Sequence, residues 1–321
     1  MKALALATIL SALATAGVPA AAQGYPARTV QMVVPFAPGG GVDMMGRLMA
    51  EALTKRLGQS FVVENRPGAG GLLALEAVAN AAPDGYTIAV GSAGSLSVSP
   101  SMFPNRNFDP IKRLEPVILF VNSPGVLVAR PDMAAASVSD LVQISRQRPG
   151  ALNVATAGNG SVLQLMGEFF QFREGVKWNS VPYKGAAPAL VDLMASRVDV
   201  LMADVPSVAA HVKDGRIKAY AVTTTKRARQ LPDLPTLEEM GIKGYDMGSW
   251  MGLVMPKGTP ADIVMKVNAA LNDALQSELK DRVAAAGVEP EGGPPDRLAA
   301  RLAVELPRWT AVIRQANIKP E

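Results

Sequence analysis

Residues 33–43 read VVPFAPGGGVD: an apolar run stops at Pro35-Phe36 and meets three consecutive glycines, Gly39, Gly40 and Gly41. Glycine costs backbone entropy and stabilises little by itself, so a triplet marks a tight turn or a close approach to the backbone. The residues behind it, VDMMGRLMAEALTKRLG, have helical periodicity, which predicts a helix from Met44 to Leu57 closed by Gly58. Strand, glycine turn and helix N-terminus together make a place to hold an anion. The first N–H groups of a helix lack partners, and its dipole favours negative charge there.

Outward from this stretch the pattern continues. SFVVEN is a second strand, PGAGG a second glycine turn, Leu72 to Ala81 a second helix and YTIAVGS a third strand. A β-α-β-α-β order predicts a parallel sheet with covering helices. From Pro116 the texture changes. EPVILFVNSPGVLVARPD holds two β-rich runs around Ser123-Pro124-Gly125, long enough to cross between lobes near Val121–Val128. A self-contained α/β stretch follows, in which strands ALNVATAG, WNSVPY and DVLMAD alternate with helices SVSDLVQISRQ, SVLQLMGEFFQFR, LVDLMASR and VPSVAAHVKDG. IKAYAVTTT returns the chain near Val222–Lys226. The expected organisation is lobe 1 from 23–122 and 225–321 and lobe 2 from 123–224. VVPFAPGGGVDMMGRLMAEAL and SVPYKGAAPALVDLMASRV also echo each other, as two turns from two like-built lobes would.

The first 22 residues carry one lysine, an apolar run and then Ala20-Ala21-Ala22, the pattern of a cleaved secretory signal peptide. Losing Lys2 takes the formal charge from +4 to +3, and no later stretch is long and apolar enough to span a membrane. The mature chain is therefore expected in the periplasm and outside the membrane. Cysteine is absent from all 321 residues, which excludes disulfides, thiolate nucleophiles and cysteine-ligated zinc. Lysine and arginine are scattered without a basic run, which argues against nucleic acid.

Catalytic chemistry finds few residues to use. The single histidine, His211, sits near a helix end followed by lysine and glycine, so a Ser-His-Asp triad has only that one base to build around. GSAGS at 91–95 lacks the G-x-S-x-G spacing of a nucleophile elbow, and no D-x-D-x-D-G loop offers a cation site. A dinucleotide fold would place Glu64 on a ribose, but Met44 stands where its third glycine is required, and no G-K-[ST] follows for a phosphate loop. No cofactor and no metal are expected. What remains is a set of polar, glycine-rich loops at strand ends: PGGGVD, SAGS, TAGNGS, YKGAAP and the Asp204 turn. They offer backbone N–H groups, hydroxyls of Ser92, Ser95, Thr156 and Ser161, and one cation, Lys184. Their complementary ligand is a carboxylate.

VVPFAPGGGVD, VVENRPGAGG, APDGYT, NVATAGNGS, VPYKGAAPAL and LPDLPTLEEMG together resemble the tripartite tricarboxylate transporter substrate-binding proteins, the Bug or TctC-like family. The likeness runs in order from about Tyr25 to the C-terminus. It implies an α/β, two-lobed periplasmic binding protein fold of type II, with a hinge between two parallel-sheet-based lobes. It also implies capture of a small carboxylated solute and its delivery to the membrane permease subunits of the transporter; the scarcity of acid-base residues argues against an enzyme, and a monomer is expected. A sensory relative would present the same liganded form to a membrane receptor. Matched to the family's motifs, the ligand residues are Phe36, Gly39, Gly40, Gly41, Asp43, Ser92 and Ser95 from the first lobe. The second lobe adds Thr156, Gly158, Asn159, Ser161, Tyr183, Lys184, Gly185, Ala186 and Asp204. Three positions depart from the family's usual pattern: Val42 replaces a threonine or serine, Gln164 a histidine, and Ala203 an aromatic.

If the leader is cleaved after Ala22, mass spectrometry of the exported protein will show a chain beginning at Gln23; an intact Met1 in a cytoplasmic fraction would overturn that.

Overall fold

The structure, a computed structural model, describes residues 24–156, 161–183, 185–315 and 317–318. The expected leader, residues 1–22, lies outside them.

The first half-sheet is built on β1 (Val30–Val34), which pairs in parallel with both β2 (Phe61–Asn65) and β3 (Thr87–Ser92). Between these strands run α1 (Gly41–Leu57) and α2 (Leu72–Ala79). α1 starts three residues before the expected Met44, with Gly40 as its N-cap. Apolar periodicity first registers at the buried Met45, whereas the true start is set by a hydrogen bond from the Gly39 N–H to the Asp43 carboxylate. Gly58, in the left-handed conformation, closes the helix as expected. A π-helical turn, Ala93–Val98, then leads into α3 (Ser99–Met102) and α4 (Pro110–Arg113).

Next comes β4 (Leu114–Ala129), 16 residues in one piece where the sequence suggested two runs. Pro124 does not break it, because it falls where both edges of the strand change partners. On one edge β9 (Gly248–Pro256) ends opposite Pro124 and β8 (Lys218–Val222) begins opposite Val126. On the other edge β10 (Glu289–Pro290) covers Val121 and Asn122, and β7 (Val200–Asp204) begins at Gly125. A missing N–H is tolerated at such a gap in the ladder.

The second half-sheet contains β5 (Asn153–Thr156), β6 (Asn179–Pro182) and β7, all parallel. They alternate with α5 (Val138–Gln147), α6 (Val162–Glu174), α7 (Ala186–Met194) and α8 (Val205–Lys213). The whole order is β2-β1-β3-β9-β4-β7-β5-β6, with β8 and β10 also on β4. In each half a central strand, β1 or β5, follows the same plan. The two echoing sequence stretches do not share a place in it, because one follows the central β1 and the other the edge strand β6. Their likeness reflects a common strand–turn–helix chemistry and not equivalent positions.

The remaining helices are α9 (Ala261–Gln276), α10 (Lys280–Ala285) and α11 (Asp296–Gln315). α11 joins the halves: Leu298 and Leu302 pack with Leu72, Leu96 and Trp250, while Trp309, Val312 and Ile313 pack with Phe170, Trp178 and Tyr245. Between these sets the buried Glu305 accepts the Trp250 indole N–H at 2.9 Å, with Arg301 at 3.6 Å. Burial raises the Glu305 carboxyl above its ordinary range, opposed by Arg301 and the indole donors. The segment after β8 buries Leu237, Ile242, Tyr245 and Met247 in the same cluster as α5 and α6.

The seam between β4 and β9 admits no added side chain at Gly252. A Cβ there would meet the Ile118 carbonyl oxygen at 2.5 Å and the Leu298 side chain at 3.1 Å. Gly252→Ala should therefore destabilise the protein by about 1–3 kcal/mol, measured by urea unfolding; an unchanged midpoint would contradict this packing.

Candidate functional site

Strand direction places the site. β9 is antiparallel to β3 and to β4, so β1, β2 and β3 run the same way as β4. β7 is antiparallel to β4 and parallel to β5, so the second set runs the other way. The carboxyl ends of the two sets therefore point at each other. Ser92 at the end of β3 is level, through Met251, with Val121 of β4, and Asp204 at the end of β7 is level with Gly125. Four residues of strand separate those levels, about 13 Å at roughly 3.3 Å per residue. Every loop singled out from the sequence leaves one of these facing ends.

The opening turn is held from behind. Asp43 is buried and its carboxylate accepts the Gly39 N–H at 2.9 Å, Arg47 Nε at 3.0 Å and Asn65 Nδ2 at 2.9 Å. Asn65 also donates to the Phe36 carbonyl at 2.9 Å. The Arg47 bond, with those from Gly39 and Asn65, holds the Asp43 carboxyl down at about 2 against the cost of burial. Asp43 thus organises the turn with all the hydrogen bonds just named, and Arg47 and Asn65 are its partners. Sequence reasoning missed both, although Asn65 closes the VVEN strand and Arg47 lies one helical turn after Asp43. Phe36 packs towards Gly71, whose left-handed backbone and missing side chain let Pro35, Phe36 and Ser95 crowd within 3.5 Å of its Cβ direction. The second glycine turn is therefore a support for the first.

In front, the turn is open. Gly39, Gly40 and Gly41 are exposed, and only Gly39 needs a positive φ, at 89°. A Cβ on Gly40 would meet nothing closer than 4.0 Å, and one on Gly41 would touch Met251 at 3.7 Å. The first helical bond of α1 runs from the Met44 N–H to the Gly40 carbonyl, and no side chain caps the helix. The N–H groups of its first turn are therefore without helical partners.

The other loops differ in how their polar atoms are used. Ser92 and Ser95 cap each other reciprocally, Ser92 N–H to Ser95 Oγ at 3.0 Å and Ser95 N–H to Ser92 Oγ at 3.2 Å. Both hydroxyls serve the helical turn that follows. Ser161 Oγ accepts the Gln164 N–H at 3.2 Å, capping α6. The Tyr183 hydroxyl turns to Asp192 at 2.7 Å, and Gly185, at φ 112°, caps α7 without a side chain, with Ala186 behind it. Gly158, Asn159 and Lys184 lie outside the described residues. Val162, at the start of α6, lies 4.0 Å from the Cβ direction of Gly94, one of the contacts between the two halves. Glu64 pairs with Arg66 and Gln31 at the surface, and His211 sits beside Arg216, so neither joins the loops.

Behind the strand ends runs a polar row that the sequence showed only in part. Val154, Val200, Met202 and Leu127 all bury into one cluster on one face of the sheet. Alternation along each strand puts Thr156, Asp204, Gly125 and Ser123 on that same face, with Ser249 paired to Ser123. Asp204 Oδ1 and Thr156 Oγ1 are sealed from solvent and have no hydrogen-bond partner among the described residues. Desolvation raises the Asp204 carboxyl from 3.8 to about 6, against hydrogen bonds from Ser249 and Ser123 that favour the charged form. Ser123 and Ser249 were not singled out from the sequence, since serines in a strand carry no local signal of what they will face.

These features define a two-lobed solute-binding protein. The family model of the tripartite tricarboxylate transporter family receptor matches residues 45–318, and the chain belongs to that family. It is 37% identical to protein BugT of Bordetella pertussis over 318 residues, 98% of each chain. Among solved structures, it is similar to the adipate-bound Rpa4515 of R. palustris at 36% identity and a TM-score of 0.75, covering 92% of this chain and 100% of that one. It is also similar to the malate-bound MatC of Rhodopseudomonas palustris, at 37% identity and a TM-score of 0.72, covering 90% and 100%. An unliganded TctC solute-binding protein from Polaromonas gives 28% and 0.82, covering 91% and 99%.

A carboxyl with a raised pKa binds a proton in the folded state that the unfolded chain releases. The Asp204 contribution to stability is thus full below about pH 4 and lost as the pH rises through about 6. Asp204→Asn should remove that component and leave the ligand-free variant more stable than the parent at pH 8, by on the order of 3 kcal/mol. Denaturant titrations of both proteins from pH 4 to 8 check this; parallel pH profiles would show that Asp204 carries no such burden.

Proposed function

We propose that this protein is an extracytoplasmic binding protein that captures a small carboxylate between its lobes and delivers it to the permease of a tripartite tricarboxylate transporter. The observation that carries the reading is the uncapped first turn of α1 behind three exposed glycines. Its N–H groups have no helical partners, the space before them is open, and they sit at the facing ends of the two strand sets. A carboxylate placed there gains charge-assisted hydrogen bonds of about 1.5–3 kcal/mol each. Rigid-body and ordering costs offset several of these, which leaves binding on the order of micromolar. The uncapped, glycine-led start of α7 offers a second set of donors from the other lobe.

Capture requires the lobes to move. β4, β8–β9 and α11 carry the chain or its packing between halves, and rotation about the first two closes the strand ends on a ligand. In support, the protein superposes better on the unliganded relative than on the two ligand-bound ones, although those are closer in sequence. An open arrangement of lobes has that effect. The comparison proteins bind solutes and match this chain over most of its length. Periplasmic location follows from the same reading together with the expected leader.

A thermal-shift screen of the purified protein across mono-, di- and tricarboxylates should find a ligand that raises the melting temperature by mass action. Gly40→Val should then weaken that ligand at least a hundredfold by calorimetry, because the branched side chain occupies the space before α1. Gly40 has φ −82° and room for a Cβ, so the ligand-free melting temperature should hardly change. Intact binding in this variant would remove the glycine turn from the site.

A further inference from the structure

We infer that α11 is a jointed strap that bends at Pro307 when the two lobes rotate against each other. The inference rests on the lobe rotation proposed for capture and names a part of the chain that permits it. Proline inside a helix has no N–H for the carbonyl four residues back, and its ring crowds that carbonyl, so helices kink there. Pro307 lies in the interior of the 20-residue α11, well past the first turn, where proline is tolerated.

The first observation is that the helix changes partners at this residue. Before it, Leu298 and Leu302 are buried, with Leu306 packed beside them, in a cluster whose other buried members all come from the first half. Glu305 is tied to Trp250 of that cluster at 2.9 Å. Immediately after Pro307, the Arg308 guanidinium lies over the Phe169 ring of α6, 5.8 Å from its centre. Trp309, Val312 and Ile313 then enter the cluster that covers the second half-sheet. The second part is not held by α6 alone, because Thr310 meets Ser101 of α3 at 2.6 Å. It is wedged between the lobes, so a change in their angle shifts it against the first part, which follows one lobe only.

The second observation is the level of the break. Arg301 reaches the Asp246 carboxylate at 3.4 Å and Arg308 donates to the Asp246 carbonyl at 2.9 Å, one residue group on each side of Pro307. Asp246 belongs to the segment that returns from the second half, where the Met247 N–H bonds to the Thr223 carbonyl at 2.9 Å. A joint beside the crossing segment turns with the lobes and is not stretched by them. The third observation is the face. Pro307 and Ala303 are both exposed, so the break lies on the solvent side. Water can then take the place of the missing donor at the Ala303 carbonyl, whether the helix is straighter or more bent. A helix wrapped around two lobes is convex towards solvent, the sense of curvature that such a break favours.

The chain has no cysteine, so spin labels on Lys55→Cys, near the end of α1, and Lys213→Cys, at the end of α8, report a single distance across the lobes. Pulsed electron resonance gives the spread of that distance over ligand-free samples and samples saturated in turn with adipate, L-malate and succinate. The spread should be broad in the parent, and Pro307→Ala, which restores the N–H donor, should narrow it to about half. Hydrogen exchange at the Arg308–Ala311 amides should slow about tenfold in the same variant, as the bonds around the joint tighten. Alanine favours helix, so folding should not suffer, and a thermal melt followed by circular dichroism checks that. An equal spread in parent and variant would overturn the joint while leaving lobe rotation and capture standing. A parent distance that stays single and narrow in every sample would remove the rotation itself, and the joint with it.

Discussion

Two half-sheets with opposed strand directions share one strand, and that constraint arranges everything else. β4 is long enough to pair with β9 along its first part and with β7 and β8 along its last. Because antiparallel pairing on both halves fixes the direction of each set, the carboxyl ends of β1 and β3 must face those of β5, β6 and β7. Turns at the carboxyl ends of parallel strands are where open α/β sheets hold ligands. Here two such edges meet across a few residues of one strand, so a single small molecule can touch both.

The same junction explains where polarity is spent. Apolar residues fill most of β1, β3, β4 and β7 away from the junction, and near it serine, asparagine and threonine appear among the buried residues. Pro124 belongs to this pattern, since it can sit only where the ladder changes hands. Rigidity is supplied from outside: α11 lies along both halves, tied at its middle by Glu305 to Trp250 and packed by Trp309 onto the second half. The lobe rotation proposed for capture would have to be accommodated by that helix as well as by the crossing strands.

The loops around the junction use alike sequences in unlike ways. Ser92, Ser95 and Ser161 cap the helices that follow them, and Asp43 is consumed in holding Gly39 and Asn65. Such residues commit at least one polar atom to shaping the loop. The α1 turn, by contrast, has an exposed backbone and no capping side chain. The difference matters because a carboxylate competes with a cap for the same N–H groups.

By itself the sequence determined the alternation of strands and helices, the glycine turns at strand ends, the family and the absence of thiol chemistry. Each of these is written in local periodicity, turn chemistry or composition, over windows of a few to some tens of residues. Only the tertiary structure decided that β4 is one strand, that α1 begins at Gly41, and that the echo between the β1 and β6 turns joins unequal positions. It alone also distinguished the spent polar groups, Asp43, Ser92, Ser95 and the Tyr183 hydroxyl, from the sealed oxygens of Asp204 and Thr156. Ser123 and Ser249 come beside Asp204 from strands far apart in the chain, through pairing registers that no local pattern encodes. A hydrogen bond's value depends on which partner arrives and how much water leaves with it, and long-range pairing sets both.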